Sequence, residues 1–284
     1  MTVETDVMQL FAPAKINLSL KIRGRREDGF HEIETLIVPI SLFDEIRIER
    51  GGTKKGIEFW CNDPSVPNGE ENLVVRAAKA FFYTTKLEPS VSIALKKRIP
   101  HRAGLGGGSS DAASTLQALN ELFEAKLSPK ALAKMAEAIG SDVPFFISES
   151  AAICRGRGEL VTAVRLTEKL SILLLKPGFG VATDWAYSRW KNSREIRGIS
   201  YAAQHFSGQT FFNDLECPVF EKFVFLAHLK MWLLKQPEVG AALMSGSGST
   251  MFAVMQPKAD VDLVAKRARA ELDPELWTCA AHAM

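Results

Sequence analysis

Four glycines within five residues constrain this chain more than any other feature of its sequence. Residues 104–108 read Gly-Leu-Gly-Gly-Gly and run directly into Ser-Ser-Asp-Ala-Ala at residues 109–113. Because four of the five positions lack a side chain, the backbone can turn its N–H groups toward one point and let a ligand approach closely. A helix predicted to follow adds free N–H donors and the positive end of its dipole. The pattern favours an anion site, most naturally for phosphate, over a connector that ends in a capping serine.

The common phosphate-binding signatures do not fit this segment. A Walker A loop needs a lysine after its glycines, and none follows here. The dinucleotide pattern needs a third glycine where Ser109 stands. Residues 28–30 (Asp-Gly-Phe) are not the Asp-Phe-Gly of protein kinases and lie far too early in the chain. The loop therefore belongs to another class, in which the hydroxyls of Ser109 and Ser110 could bind phosphate oxygens or a magnesium ion.

Composition excludes several classes without naming a function. A length of 284 residues predicts about two domains. Lys and Arg total 35 against 33 Asp and Glu, a net charge of +2 that gives no reason to expect a nucleic-acid partner. The four cysteines form no CxxC and the five histidines no HxxxH, so a metal site made of protein side chains is not expected. Residues 1–10 lack a signal pattern and the apolar runs are too short to span a bilayer, which predicts a soluble, cytoplasmic chain.

Hydrophobic periodicity predicts a mixed α+β chain without strict alternation of strands and helices. Strands are predicted at residues 12–22, 34–39, 44–49, 91–95, 171–175 and 251–255. Helices are predicted at residues 72–82, 110–124, 128–140, 220–233 and 261–272, with Asn72 and Ser128 as caps and Gly140 as a stop signal. Residues 192–209 are polar and rich in turn formers. A boundary near residue 160 divides the pattern into two domains.

Three other regions occur in order with the glycine-rich segment. They are residues 13–18 (Pro-Ala-Lys-Ile-Asn-Leu) with 24–32 (Gly-Arg-Arg-Glu-Asp-Gly-Phe-His-Glu), residues 140–146 (Gly-Ser-Asp-Val-Pro-Phe-Phe) and residues 244–250 (Met-Ser-Gly-Ser-Gly-Ser-Thr). Together the four resemble motifs of the GHMP small-molecule kinases, and among these of the kinases that act on a cytidine diphosphate sugar alcohol. The resemblance implies an α+β fold with two domains, ribosomal-S5-like at residues 1–160 and ferredoxin-like at residues 161–284. The active site is then expected between them.

The resemblance also assigns roles to individual residues. It implies that Asp142 accepts the proton of the attacking alcohol and that Lys15 stabilises the developing charge. Taken alone, Asp142 would be interpreted as a turn residue and Lys15 as an exposed strand residue. A cytidine pocket is implied for Asn17, Phe30, His31 and Tyr187. Phe30 stands where tyrosine is common in the family, which keeps ring stacking but loses a hydroxyl. Tyr187 has the alternative interpretation of a core aromatic residue.

The ATP site implied by the resemblance comprises the glycine-rich segment and two flanking residues. Asn72 and Lys97 match positions that line the adenosine pocket, although Asn72 could simply cap its helix. The segment itself contributes Pro100, His101, Arg102, Ala103, Gly104, Leu105, Gly106, Gly107, Gly108, Ser109 and Ser110. Residues 245–250 are expected either to form a second glycine-rich wall of the site or to be a plain turn before a strand. Mg²⁺ is expected to accompany ATP.

The expected activity is ATP-dependent phosphorylation of the 2-hydroxyl of the cytidine diphosphate sugar alcohol, by direct in-line transfer, on the non-mevalonate route to isoprenoid precursors. One alternative is a GHMP kinase for mevalonate, homoserine or a sugar, which would have little use for the base-stacking pair Phe30 and His31. A second is a non-enzymatic RNA-binding module with an S5-like fold, which the near-neutral charge disfavours. No membrane partner is expected, and the sequence leaves the oligomeric state open.

Overall fold

The fold of the chain is seen in a computed structural model that describes residues 7–51, 55–148, 150–166 and 168–284. Residues 1–6, part of the segment predicted to lack a signal, lie outside the described residues. The strands are β1 (Val7–Arg25), β2 (His31–Arg50), β3 (Gly56–Cys61), β4 (Ser90–Lys96), β5 (Ala152–Gly156), β6 (Leu160–Ala163), β7 (Ser171–Lys176), β8 (Gln204–Phe206), β9 (Gln209–Asn213), β10 (Val239–Met244), β11 (Met251–Met255) and β12 (Trp277–His282). The helices are α1 (Leu73–Thr85), α2 (Gly107–Leu122), α3 (Pro129–Ile139), α4 (Val143–Ile147), α5 (Thr183–Arg189), α6 (Glu216–Lys222), α7 (Val224–Leu234) and α8 (Val261–Glu271), with a 3₁₀ helix at Trp190–Asn192. Over the described ranges, no helix combines the length and apolar character that crossing a membrane would require.

A long antiparallel hairpin of β1 and β2 forms the centre of an eight-stranded sheet. The strand predicted at 12–22 lies within β1, and the two predicted at 34–39 and 44–49 are one continuous strand, β2. Pro13 pairs with Phe43 and Ala14 with Ile40, so the register shifts between them and Ser41 and Leu42 of β2 form a bulge. The bulge lets β2 continue through this stretch. Much of the middle of β1 is buried, so it can carry polar side chains into the interior as well as core residues.

Helix α2 begins inside the glycine-rich segment rather than after it. Gly106 is its N-cap with φ of +70°, and Gly107 and Gly108 form its first turn, three residues before the predicted start. The left-handed φ at the cap is one that glycine adopts without steric cost. Almost the whole helix is buried between the first sheet and the neighbouring helices α1, α3 and α4, so its free N–H groups are presented only at the glycine end.

The second half of the chain contributes strands to both sheets. Four of its strands form a second sheet in the order β10-β11-β7-β12. Strands β8 and β9 join the first sheet, where β9 runs parallel to β1 and pairs Ser19 with Phe212 and Leu20 with Asn213. Residues beyond 200 therefore complete the sheet that carries the N-terminal motifs. The division into domains at residue 160 stays a prediction.

The helix predicted at 220–233 is wrong as one continuous element. Phe223 has φ of −109° and ψ of 67°, which separates α6 from α7. The apolar spacing continues through the break because residues of both helices pack into one core, including Phe220, Leu226 and Leu229. Helix α5 was not predicted, although Asp184 in its first turn and Arg189 in its last suit the helix dipole.

Candidate active site

One cavity of about 1030 Å³ is lined by every predicted site residue except Ser110. Ser110 is fully buried, and its hydroxyl has no hydrogen-bond partner within the described ranges. The cavity lies where the N-terminus of α2, the β1–β2 hairpin, α5 and residues 246–247 meet. Segments far apart in the sequence are thus brought to one place, as the predicted site requires.

The glycine-rich segment needs glycine because backbone and side chains approach it closely. A Cβ at Gly104, whose φ is +75°, would lie 2.2 Å from the carbonyl oxygen of Ser245. A Cβ at Gly106 would lie 2.8 Å from Cγ of Lys15. The Ser245 hydroxyl donates a hydrogen bond to the carbonyl oxygen of Gly104 at 2.9 Å. Of the two interpretations of residues 245–250, the wall is therefore correct: this second glycine-rich loop packs against the first and itself lines the cavity.

Lys15 and Asp142 form an ion pair beside the glycine-rich segment. The Lys15 Nζ lies 3.7 Å from Oδ2 of Asp142 and donates a hydrogen bond of 2.6 Å to Oδ1 of Asn17. Asn17 in turn donates to Oγ1 of Thr35 at 2.8 Å, and Lys15 and Asn17 share one face of β1 because they are two residues apart. Burial lowers the pKa of Lys15, and the nearby Asp142 carboxylate offsets part of that shift. Lys15 is thus a buried side chain fixed by Asn17 and Asp142, and not the exposed residue that its position in a strand would suggest.

Asp142 presents its carboxylate to the cavity from the N-cap position of α4. Its side chain is 37% exposed while that of Lys15 is 5% exposed, so a ligand can reach the carboxylate without displacing the lysine. The following Pro144 is within the first turn of α4, where a missing N–H costs no hydrogen bond. Asp142 is therefore held in a defined orientation by a short, buried helix.

Phe30, His31 and Tyr187 line the same cavity, and Trp190, which does not line it, packs against His31. The ring centroids of His31 and Tyr187 are 5.3 Å apart, and the ring of Trp190 meets His31 edge-on at 6.0 Å. Burial and the charge of Asp142 raise the pKa of Tyr187, which keeps its hydroxyl protonated. Tyr187 also packs on the core of the second half, which supports its interpretation as a core aromatic residue, and its place in a cytidine pocket stays a prediction. We call Phe30, His31, Tyr187 and Trp190 the aromatic group.

Lys97 lines the cavity but is already paired. Its Nζ bonds to Oδ2 of Asp111 at 2.8 Å and to Oδ2 of Asp44, and all three side chains are at most 6% exposed. The other oxygen of Asp44 accepts from the backbone N–H of Ile99 at 2.9 Å, whereas Oδ1 of Asp111 is buried without a partner among the described residues. Two carboxylates share one ammonium group, and burial raises the pKa of Asp111 to about 8. Lys97 and Asp44 therefore fix the residues just before the glycine-rich segment to β2 and α2.

The side-chain amide of Asn72 makes two protein contacts. Its oxygen accepts from the backbone N–H of Val74 at 2.8 Å and so caps α1, as predicted. Its nitrogen donates to the carbonyl oxygen of Pro67 at 2.6 Å. Asn72 lines the cavity, but these contacts support the capping interpretation, and its place in an adenosine pocket stays a prediction.

Three basic residues of the cavity are not identified as site residues from the sequence. Arg25, Arg157 and Lys191 line the cavity near the aromatic group, on β1, on the turn between β5 and β6, and on the 3₁₀ helix. Each is a basic residue in a charged, turn-rich stretch, where sequence gives no sign of which side chains face a ligand. Arg25 alone has a signal in the sequence, because it lies in the same segment, residues 24–32, as the predicted site residues Phe30 and His31.

Comparison with known proteins agrees with this architecture. The model of the GHMP kinases N terminal domain matches residues 72–150 and that of the GHMP kinases C terminal region matches residues 202–273. A homoserine kinase from Cytophaga hutchinsonii shares the fold at 18% identity, with a TM-score of 0.67 over 100% of this chain and 96% of that one. The fold and the matched regions make this chain a GHMP kinase.

Closer relatives narrow the family. The 4-diphosphocytidyl-2-C-methyl-D-erythritol kinase of Methylacidiphilum infernorum is 40% identical over 278 residues, which cover 96% of each protein. A crystal structure of 4-(cytidine 5'-diphospho)-2C-methyl-D-erythritol kinase superposes with a TM-score of 0.78 at 34% identity, over 97% of this chain and 99% of that one. The chain belongs to the 4-diphosphocytidyl-2-C-methyl-D-erythritol kinase family.

Proposed function

We propose that this protein transfers a phosphoryl group from ATP to the 2-hydroxyl of 4-diphosphocytidyl-2-C-methyl-D-erythritol, by direct in-line transfer, in the non-mevalonate route to isoprenoid precursors. The observation that carries the proposal is the Lys15–Asp142 pair. It lies in one cavity with the glycine-rich start of α2 on one side and the aromatic group on the other. Family membership supports the same substrate, since the relatives carry its name.

Different groups of the cavity are suited to bind ATP, the cytosine base and the acceptor hydroxyl. The N–H groups of α2 and the loop before it bind the phosphates of ATP. The aromatic group binds the cytosine base, because ring faces stack on a pyrimidine and the His31 imidazole can hydrogen-bond to its polar edge. The hydroxyl to be phosphorylated then lies near Lys15 and Asp142, between the two nucleotide ends.

Asp142 is the proposed base and Lys15 the proposed electrostatic group. As the hydroxyl oxygen attacks, its proton passes to the Asp142 carboxylate, a transfer that contributes about 10²–10⁴-fold to rates in enzymes of this kind. The Lys15 ammonium, held by Asn17 at 2.6 Å, stabilises the negative charge that develops on the transferred group. Because Lys15 is buried, its charge acts in a region of low dielectric and is screened little by water.

Mg²⁺ suits the oxygen donors at the phosphate end of the cavity. Ser109 and Asp111 line the cavity there, and the buried Oδ1 of Asp111 has no hydrogen-bond partner in the described part of the chain. Mg²⁺ is commonly held by one or two carboxylates and substrate phosphates, and it neutralises charge on those phosphates. These two residues and the phosphate oxygens of ATP would hold it. No group of three or more His, Cys, Asp or Glu with metal-binding geometry occurs in the described ranges, so the protein alone would bind it weakly.

An ADP-release assay over a panel of acceptors tests the proposal. The panel comprises 4-diphosphocytidyl-2-C-methyl-D-erythritol, mevalonate, homoserine and galactose, and turnover is expected with the first alone. Turnover with only one of the other three would contradict the substrate. The predicted absence of a nucleic-acid partner and the cytoplasmic location are not addressed by this assay and stay predictions.

Variants of the two central residues test the mechanism. Asp142→Asn is expected to lower kcat about 10²–10⁴-fold while the dissociation constant for ATP stays unchanged. Asp262→Asn removes an exposed carboxylate on α8, outside the cavity, and should leave both values unchanged. Asp142→Asn with near-normal turnover would exclude Asp142 as the base.

A further inference from the structure

Three basic side chains around the aromatic group form no ion pair within the described ranges, although the carboxylate of Asp28, which also lines the cavity, interacts electrostatically with Arg157 from beyond ion-pair distance. Arg25, Arg157 and Lys191 line the cavity, and in the described part of the chain no carboxylate lies within ion-pair distance of their side-chain nitrogens. We call these three residues the cationic rim. Their charge faces a concave surface, where it is available to an anionic ligand.

Three arginines close to Arg25 and Arg157 in the sequence behave differently. Arg23 Nη2 lies 2.9 Å from Oε1 of Glu34, Arg155 Nε lies 2.9 Å from Oε2 of the same residue, and Arg26 Nη1 lies 2.8 Å from Oε2 of Glu32. These three do not line the cavity. Arg25 and Arg157 thus have no ion-pair partner among the described residues, while these three arginines outside the cavity are paired.

The rim surrounds Phe30 and His31 from three directions. Arg25 is the cross-strand partner of His31 in the β1–β2 hairpin. Lys191 follows Trp190, whose ring meets that of His31, and both Lys191 and Arg25 help burial to lower the pKa of His31. The guanidinium carbon of Arg157 lies 4.6 Å from the ring centroid of Phe30. Each cation is therefore adjacent to a side chain proposed to hold the base.

This second group of cations is separate from the phosphate site at α2. The α2 site uses backbone N–H groups, and its buried Lys97 is already bonded to Asp44 and Asp111. Lys15 approaches Gly106 of the α2 site, and the charge of Asp142 acts on Tyr187 of the aromatic group, so the pair connects the two groups. A ligand that reaches from the aromatic group to Asp142 and carries a diphosphate would meet the rim and not the α2 site.

We propose that Arg25, Arg157 and Lys191 bind the diphosphate group of the cytidine diphosphate substrate whose base packs in the aromatic group. The inference rests on the proposed function and extends it to the residues that recognise the linking group. Arg guanidinium groups can each donate two parallel hydrogen bonds to phosphate oxygens, and Lys191 adds a point charge. The base supplies specificity for cytidine, and the rim distinguishes a diphosphate from an uncharged nucleoside.

Binding of CDP, CMP and cytidine by isothermal titration calorimetry tests the rim. Arg25→Gln, Arg157→Gln and Lys191→Gln should each weaken CDP binding about 3- to 10-fold and leave cytidine binding unchanged. In turnover assays the KM for the diphosphocytidyl substrate should rise by a similar factor, with kcat and the KM for ATP retained. CDP binding to the wild-type protein should also weaken with added KCl more than in the variants.

Arg23→Gln and Arg155→Gln are the matched controls. Each removes one positive charge from the same region, but from a side chain that is paired with Glu34 outside the cavity. They should change CDP binding less than twofold. Equal losses in rim and control variants would mean that only general electrostatic attraction is at work and would overturn the proposal.

Other outcomes separate this inference from the proposed function. Wild-type protein that bound CDP no better than cytidine would overturn the rim even if turnover of the diphosphocytidyl substrate were normal. Rim variants that raised the KM for ATP instead would reassign these cations to ATP and also overturn it. Turnover of mevalonate, homoserine or galactose alone, with CDP bound through the rim, would contradict the proposed function and leave the rim in place.

Discussion

Replacing Gly104 with alanine tests the contact between the two glycine-rich loops. The added Cβ would lie 2.2 Å from the carbonyl oxygen of Ser245 and 3.0 Å from that of Gly248. Both obstacles are backbone atoms, which cannot rotate away as the end of a flexible side chain would. The φ of +75° at Gly104 adds a cost of about 1–2 kcal/mol for a residue with a Cβ.

The two costs together set the size of the expected effect. Overpacking of a close-packed site typically costs about 1–3 kcal/mol, so Gly104→Ala should lower the free energy of unfolding by about 2–5 kcal/mol. For a protein of this size, that corresponds to a fall in Tm of about 5–15 °C. ATP affinity should fall as well, because the clash moves the loop that carries the N–H donors.

Gly108→Ala is the matched control for stability. A Cβ there would meet only Cδ1 of Leu73, at an ordinary contact distance of 3.6 Å, and the position is helical. Alanine is favoured over glycine inside a helix by about 0.5–1 kcal/mol, so its Tm should stay equal or rise. Thermal unfolding followed by circular dichroism without ligand measures both variants. If Gly104→Ala melted within 1 °C of the wild type, the proposed packing of the two loops would be wrong.

Three further predictions concern buried and titrating groups. The raised pKa of Asp111, about 8 against about 4 in an unfolded chain, means that folding takes up a proton between those values. The free energy of unfolding should therefore fall as pH rises from 4 to 8, and urea titrations at pH 5 and pH 8 should show less of this fall in Asp111→Asn. Lys230→Met leaves Glu216 buried without its 2.5 Å partner and should cost about 3–5 kcal/mol in chemical denaturation, whereas adding Glu216→Gln should recover over half of it; equal losses would refute the pairing argument. Because the pKa of His31 is lowered below 6.5, its imidazole is neutral at pH 7, and kcat/KM for the cytidine substrate should decline only below that pKa, a decline that His31→Asn should lack.

Local signals in the sequence predicted most of the elements that build the site. The glycine-rich segment and the caps at Asn72 and Ser128 reflect backbone requirements that are satisfied within a few residues. The strand at 251–255 and the helix beginning at 261 were predicted nearly to the residue for the same reason. What these features share is that their cause and their effect lie in one stretch of chain.

Features that depend on contacts between distant residues could not be predicted from local sequence patterns. The Lys97 triad joins Asp44 and Asp111 across 53 and 14 positions, and no local pattern at any of the three residues indicates the others. The break at Phe223 is hidden because the apolar spacing fits a single helix as well as two. Strands β8 and β9 are short and lie in or beside a stretch rich in turn formers. β8 pairs with β9, and the pairing of β9 with β1 joins parts of the chain that are far apart in the sequence.

The pairing of β9 with β1 has a consequence for synthesis of the protein on the ribosome. In the first sheet, β1 lies between β2 and β9, so it is an edge strand until residues 209–213 have left the ribosomal tunnel. At about 5–20 residues per second, that delay is on the order of ten seconds or more. During it, the nascent chain exposes backbone N–H and C=O groups at Ser19 and Leu20, close to Lys15 and Asn17, and an open edge of this kind can pair with another chain. A chaperone that covered this edge of β1 before β9 is synthesised would prevent such pairing at the strand that carries Lys15.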